Sequence, residues 1–210
     1  MRPERLGPVA GVVLAAGSSR RMGQNKMLLR LGGEAVVRRA ARRAIAAGLD
    51  PVVVVLGHEA ELVLPELAGL AVRTVVNAEH AGGIHTSRRA GLGAVPSDAQ
   101  AAVVLLADMP FVTEQMLATL VARYRESDAL LVASEYAGQP APPTLYDRAL
   151  FAEIAGMEGE SRARQVVRGH AGEALVVAWP AVALGDLDRP EDYERARAEA
   201  GSADPTPAAR

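Results

Sequence analysis

The stretch GVVLAAGSSRRMGQNK, residues 11–26, runs from an apolar segment into a loop with two glycines, two serines and three cations. Parallel strands buried on both faces have such apolar sequences, and their carboxyl ends are where open α/β sheets bind ligands. Gly17 would allow close backbone approach, and Arg21 and Lys26 would supply positive charge. The stretch therefore predicts a phosphate-bearing ligand, with an ordinary glycine-rich turn and solvated arginines as the alternative.

The loop differs from the two common nucleotide-binding fingerprints. A dinucleotide loop reads G-x-G-x-x-G, and a Walker A loop ends in G-K-[ST]. Here Gly17 and Gly23 are widely spaced, and two residues separate Gly23 from Lys26. A phosphate site in this loop would therefore need an arrangement of residues that differs from both fingerprints.

The rest of the chain alternates between two kinds of segment. Short apolar, mostly β-branched runs lie at 8–15, 51–57, 72–77, 101–108, 129–134 and 174–179, and helix-like segments lie at 33–48, 58–69, 85–95, 113–126, 146–156 and 189–200. This alternation predicts an α/β fold in three layers, with a mostly parallel, Rossmann-like sheet between helices. We expect one domain over 1–199 and a disordered tail over 200–210. The proline-rich segment 135–146 predicts a loop or irregular ribbon that covers the sheet edge.

Composition excludes several classes of function. The chain has no cysteine, so disulfides and thiolate metal sites are ruled out, and a net charge of −2 gives no reason to expect nucleic acid as a partner. No apolar run approaches the roughly 20 residues of a membrane span, and residues 1–8 lack the apolar core of a signal peptide. We expect a cytoplasmic protein with a small ligand and no membrane partner. The four histidines are too scattered to predict a ligand set.

The string LAAGSSRRMGQNK, residues 14–26, resembles the L-A-[AG]-G-x-S-x-R-M-G-x-x-K signature of the MobA-like nucleotidyltransferases. The resemblance implies the fold of nucleotide-diphospho-sugar transferases and a loop that wraps a nucleoside triphosphate. It implies contacts to base and ribose from the start of the loop, and phosphate contacts and catalysis from the two cations. The nucleotide-binding residues implied are Leu14, Ala15, Ala16, Gly17, Ser19, Arg21, Lys26, Gly83, Ser87 and Asp108.

Two acidic segments extend the resemblance. LLADMP, residues 105–110, resembles the strand end whose aspartate, here Asp108, binds Mg²⁺ and takes part in catalysis. A helix N-cap is the alternative role for this residue, but Thr113 is the more natural cap. GDLDRPEDYERAR, residues 185–197, resembles G-D-[IV]-D-T-P-E-D and offers Asp186 or Asp188 as a second carboxylate, with Asp188 preferred as the residue before the X-Pro step. Arg189 replaces the usual threonine.

A third segment, residues 77–94, resembles N-x-x-x-x-x-G-M-x-x-S-[LI]-x-x-G. The resemblance implies that Ser87 faces the base and that Gly83 lets the backbone approach it. Spacing alone leaves open that Ser87 is a plain helix cap. Arg88 stands where an apolar residue is common.

The subfamily is indicated by residues 134–167, which resemble the acceptor-binding stretch of the MocA-like branch, the molybdenum cofactor cytidylyltransferases. The acceptor-binding residues implied are Gly138, Pro140, Pro143 and Arg164. The chain departs from that pattern at Ala141, Pro142, Glu160 and Arg162, so the resemblance leaves the identity of the acceptor open.

The resemblance implies Mg²⁺-dependent transfer of CMP from CTP, or of another nucleotide, to a phosphorylated pterin such as molybdopterin. Ala16 favours CTP because guanylyl-transferring relatives read L-A-G-G. A molybdenum hydroxylase is a candidate partner. Two alternatives are an NAD(P)H-dependent reductase of the nicotine blue oxidoreductase type and a non-catalytic protein that delivers the cofactor.

Overall fold

The computed structural model describes residues 5–157, 166, 169–170 and 172–202, with side chains as far as residue 199. The strands are β1 (Val9–Ala15), β2 (Arg30–Leu31), β3 (Glu34–Ala35), β4 (Val52–Leu56), β5 (Val72–Val76), β6 (Ala101–Leu106), β7 (Leu131–Tyr136), β8 (Gln139–Asp147) and β9 (Ala174–Trp179). The α-helices among these residues are α1 (Val36–Ala46), α2 (Ala60–Val63), α3 (Ile84–Gly93), α4 (Glu114–Arg125), α5 (Phe151–Gly156) and α6 (Pro190–Ser202).

Seven strands form one sheet in the order β5-β4-β1-β6-β8-β7-β9. Strand β1 lies between β4 and β6 and is parallel to both, and β5 and β9 are parallel to β4 and β7. Only β8 runs antiparallel to its neighbours in this sheet. The expected three-layer fold with a mostly parallel sheet is confirmed.

Two apolar layers cover the sheet, as a strand buried on both faces requires. Val13 and Ala15 of β1 pack into the layer that includes α1 and α4, whereas Val12 and Leu14 pack into the layer with α3 and α5. All seven residues of β1 are buried. The carboxyl end of β1, where the glycine-rich loop begins, is therefore packed on both faces of the sheet.

Most of segment 135–146, expected to be a loop or irregular ribbon that covers the sheet edge, instead forms strand β8 inside the sheet, with irregular pairing to β7. Residues 144–146 pair with both β6 and β7, which places them inside the sheet. The prolines come earlier, where only β7 is a partner, and the pairing register shifts between Ala133 and Ser134 opposite Pro142 and Pro143. Proline is tolerated in a strand at such irregular or single-partnered positions.

Helix boundaries follow the expected capping residues. Thr113 is the N-cap of α4 and accepts a hydrogen bond from the backbone N–H of Met116, so the prediction that Asp108 is not the cap is confirmed. At α6, the Asp192 carboxylate accepts from the backbone N–H of Arg189. The turn at 189 is therefore held through its backbone, independently of which side chain replaces threonine. Helix α6 continues past residue 199 to Ser202, and the rest of the predicted tail, 203–210, lies outside the described residues.

In the part of the chain that is described, no helix is long and apolar enough to cross a lipid bilayer.

Arg88 is an unusual buried charge in α3. It is 4% exposed, and its Nε and one Nη atom have no hydrogen-bond partner among the described residues. A buried guanidinium without partners costs more than it contributes, typically about 1–3 kcal/mol for the unsatisfied group.

Replacing Arg88 with Met, which keeps the chain length and removes the charge, is expected to raise the free energy of unfolding by about 1–3 kcal/mol. Urea denaturation followed by circular dichroism measures this. The neighbouring Arg89, which is half exposed and pairs with Glu79, provides the matched control, and Arg89→Met should change stability little. A less stable Arg88→Met protein would contradict the prediction.

Candidate active site

An open cleft of about 860 Å³ lies at the carboxyl ends of β1 and β6. The predicted nucleotide-binding residues all contribute to its wall: Leu14, Ala15, Ala16, Gly17, Ser19, Arg21, Lys26, Gly83, Ser87 and Asp108, joined by Asp188. A Cβ atom added to Gly17 would meet nothing within 4 Å, so the backbone here faces open space into which a ligand could come close. The structure thus brings the separate sequence motifs to one place.

The loop is fixed by its own side chains. The Ser19 hydroxyl accepts a hydrogen bond of 3.1 Å from the backbone N–H of Lys26. Asn25 caps the short 3-10 helix Lys26–Leu28 by accepting from the N–H of Met27, and its amide donates to a Glu59 carboxylate oxygen at 3.1 Å. These bonds fix the Lys26 backbone and leave its side chain to reach into the cleft.

Two carboxylates converge on the Lys26 ammonium. Asp108, just beyond β6, is in direct contact with Nζ, and Asp188 Oδ1 lies 3.3 Å from it. The backbone N–H of Leu187 donates to the Asp108 carbonyl at 2.9 Å, which fastens the C-terminal segment beside the end of β6. This bond explains how residues far apart in sequence place their carboxylates together.

The two arginines of the loop differ. Arg21 Nη1 lies 2.5 Å from Asp188 Oδ2, although its side chain is largely exposed. Arg20 is exposed and makes no hydrogen bond or ion pair within the described part of the chain. Of these two arginines, only Arg21 is joined to the carboxylate cluster.

The environment shifts two pKa values in this cluster. Burial lowers the pKa of the Lys26 ammonium, but the charges and hydrogen bonds of Asp108 and Asp188 outweigh burial and raise it above the ordinary value. Burial also raises the pKa of the Asp186 carboxyl, with a further contribution from Asp188 and Asp108. Lys26 is consequently a permanent cation at neutral pH.

The donor set suits a divalent cation that is completed by substrate. Among the described residues, no group of three or more His, Asp or Glu could hold a metal ion by itself. Asp108 and Asp188 nevertheless meet at one cation, and Mg²⁺ is commonly held by one or two carboxylates with phosphate oxygens and water as the other ligands. The two aspartates fit this kind of site.

Ala16 and two histidines, His58 and His80, form another part of the cleft wall. Ala16 is 4% exposed, and its carbonyl accepts from the backbone N–H of His58 at 3.3 Å. A Cβ on Gly57 would lie 2.7 Å from the Cβ atoms of Ala16 and His80, so only glycine fits between them. The His58 and His80 rings, 6.1 Å apart, both line the cleft. Spacing in the sequence gave no sign of this pair.

Ser87 lies in the first turn of α3 and is buried beside the cleft. The N-cap of α3 is Gly83, with a φ of 112° that favours glycine, so Ser87 is not the helix cap. The Asn77 side-chain amide donates to Ser87 Oγ at 3.0 Å and to Thr86 Oγ1 at 2.8 Å. This network fixes the Ser87 oxygen and leaves its hydroxyl hydrogen free to turn toward a ligand. Asn77 is a site residue that the sequence patterns do not predict.

Of the predicted acceptor residues, the three that the structure describes, Gly138, Pro140 and Pro143, are not among the residues that line the cleft. Gly138 has a φ of 80° and occupies the tight turn between β7 and β8, which gives it a structural role. In β8, Pro140 pairs with Glu135 of β7, and Pro143 lies at the register shift between these two strands. Because Thr144 pairs with Val104, the proline part of β8 extends past the end of β6 toward the side of Asp108. Arg164, with Glu160 and Arg162, lies outside the described residues.

Comparison with known proteins gives the family. The profile described as "MobA-like NTP transferase domain" matches residues 11–175. The chain is 33% identical over 200 residues to the purine catabolism protein PucB of Bacillus subtilis (strain 168), covering 89% of this chain and 95% of PucB. It is 30% identical over 195 residues to a probable molybdenum cofactor guanylyltransferase of Opitutus terrae, covering 90% and 95% of the two chains.

A solved structure agrees with these relatives. Rv0371c from Mycobacterium tuberculosis H37Rv superposes with a TM-score of 0.80 at 27% identity, over 91% of this chain and 98% of that one. Rv0371c has also been solved in complex with manganese. The fold, the matched profile and the two relatives lead to one conclusion: this chain belongs to the MobA-like NTP transferase family.

Proposed function

We propose that this nucleotidyltransferase transfers CMP from CTP to a phosphorylated acceptor of the molybdopterin type and releases pyrophosphate, with Mg²⁺ held by Asp108 and Asp188. The observation that carries the proposal is the convergence of both carboxylates with Lys26 and Arg21 in a cleft that Ala16 also lines. A cytoplasmic location and a molybdenum hydroxylase partner remain predictions.

The cations of the loop suit the triphosphate. In the transfer, an acceptor phosphate oxygen forms a bond to the α-phosphorus, the bond from that phosphorus to the bridging oxygen breaks, and its electron pair leaves with pyrophosphate. Lys26 and Arg21 would bind the β- and γ-phosphates and stabilise the charge that grows on them. The open backbone at Gly17 lets these phosphates come close to the loop.

The acceptor needs no general base from the protein. A phosphate monoester has a second pKa of about 6, so its oxygen is largely ionised at neutral pH. A cleft that provides two aspartates and two cations is therefore sufficient for the transfer, and no pair of a nucleophile and a base is required. A divalent cation between the aspartates would supply charge neutralisation for the two phosphates that must approach each other.

Thermal unfolding with one ligand at a time tests this function. With Mg²⁺ present, CTP should raise the melting temperature and NADPH should not, because only a ligand that binds the folded state stabilises it. Pyrophosphate release from CTP should then require a phosphorylated pterin. Stabilisation by NADPH alone would favour the reductase, and CTP binding without any turnover would favour the delivery protein.

Base selection is expected to depend on Ala16. The Ala16 methyl group is buried close to Gly57, so it would act by setting the position of the cleft wall against which the base is proposed to lie. We expect CTP to bind at least about tenfold more tightly than GTP, since each hydrogen bond left unpaired by the wrong base costs about 1–3 kcal/mol. Ala16→Gly should reduce this ratio severalfold in favour of GTP.

Isothermal titration with each nucleotide and Mg²⁺ measures the preference. Ala10→Gly is the matched control, because it removes a buried methyl group from β1 in the same apolar layer as Ala16, at a residue that does not line the cleft. It should leave the ratio of CTP to GTP affinity unchanged. Equal or tighter binding of GTP by the unaltered protein would refute the choice of CTP.

A further inference from the structure

The Lys26 ammonium occupies the place where the two metal-binding carboxylates meet. It contacts Asp108 directly and lies 3.3 Å from Asp188 Oδ1, and its side chain is 11% exposed. An ammonium hydrogen-bonded to these oxygens and a divalent cation coordinated by them cannot share the same space. Lys26 therefore competes with the proposed metal ion for the oxygens of these two carboxylates.

The side chain, rather than the backbone, is the part of Lys26 that can yield. Its backbone N–H is bonded to the Ser19 hydroxyl, and it opens a 3-10 helix capped by Asn25. The four-carbon stem has several rotatable bonds, and the ammonium is a compact charge that can be redirected. Gly17, with open space beside it, lies on the same loop. A triphosphate bound along this loop would offer the ammonium new anionic partners.

We propose that Lys26 is the internal counter-cation of Asp108 and Asp188, and that its transfer to the triphosphate opens these carboxylates to the metal. This inference rests on the proposed function, from which it takes the metal site. Metal and nucleotide binding are then coupled, because each favours the arrangement in which Lys26 has left the carboxylates. Lys26 thereby keeps two close negative charges neutralised and weakens metal binding until nucleotide is present.

Binding of Mn²⁺ alone, without nucleotide, tests the proposal. The free Mn²⁺ signal in electron paramagnetic resonance gives the affinity directly. Lys26→Met should bind Mn²⁺ about tenfold or more tightly than the unaltered protein, because a competing cation within hydrogen-bond distance has been removed. Arg20→Met, which removes a charge of the same loop without contact to either carboxylate, should change the affinity by less than about twofold, as expected for a screened surface charge.

A double variant locates the effect. Lys26→Met combined with Asp108→Asn should lose the gain in Mn²⁺ affinity, because the site has lost a carboxylate. Unchanged or weaker Mn²⁺ binding in Lys26→Met, or an equal gain in Arg20→Met, would overturn the proposal. Since the probe is the metal alone, the result does not depend on the choice of CTP or of the acceptor, which the assays of the proposed function judge separately.

Discussion

Replacing Asp108 with Asn is expected to lower kcat for nucleotidyl transfer at least about 10³-fold, since a divalent cation of the kind that this carboxylate is proposed to hold supplies several kcal/mol in such reactions. The amide is nearly isosteric with the carboxylate but is a weaker Mg²⁺ ligand. The fold should persist, because Lys26 keeps Asp188 as an ion-pair partner and the Asp108 carbonyl still accepts from Leu187. Pyrophosphate release at saturating Mg²⁺ measures the loss.

Two further variants assign the second carboxylate. Asp188→Asn should cause a loss of similar size, because Asp188 shares the Lys26 ammonium with Asp108. Asp186→Asn is the matched comparison from the same segment, and its loss should be clearly smaller, since Asp186 makes no ion pair with Lys26 among the described residues. Full turnover in Asp108→Asn would disprove the metal assignment, and equal losses at 186 and 188 would disprove the choice between them.

The sheet was predictable because its strands have a distinctive composition. The runs around Val12, Val54 and Val104 are apolar without alternation, as strands buried on both faces must be, and each forms a parallel strand. Strand β8 was missed because its prolines, at 140, 142 and 143, weaken the local signal. Its place inside the sheet depends on pairing with β6, which is distant in sequence, and no local pattern encodes that.

The site was predictable to the extent that strand ends determine it. Gly17 follows β1 and Asp108 follows β6, and adjacent parallel strands bring these two to one edge. The ion pairs of Lys26 with both aspartates could not be read from the sequence, because they depend on the bond between Leu187 and Asp108. The pairing of His58 with His80 likewise depends on the close packing at Gly57, which a sequence pattern does not show.

Removal of the Lys26 side chain is expected to have the second large effect. Lys26→Ala should raise KM for CTP and lower kcat, for a total loss of about 10²–10³-fold in kcat/KM, because the cation is proposed to bind the triphosphate and to stabilise the leaving pyrophosphate more strongly as its charge develops. The buried position of Lys26 strengthens this electrostatic effect. Steady-state kinetics with CTP and the acceptor separate the two contributions.

Arg20→Ala is the matched control for Lys26→Ala. Arg20 carries the same charge on the same loop, yet it is exposed and has no ionic partner in the described chain, so its removal should cost less than about threefold. A difference of this size between two cations six residues apart would exclude a diffuse positive surface, which would respond to both losses alike, and would support a phosphate site with defined geometry. Equal losses would therefore refute the phosphate clamp, even if both variants were strongly impaired.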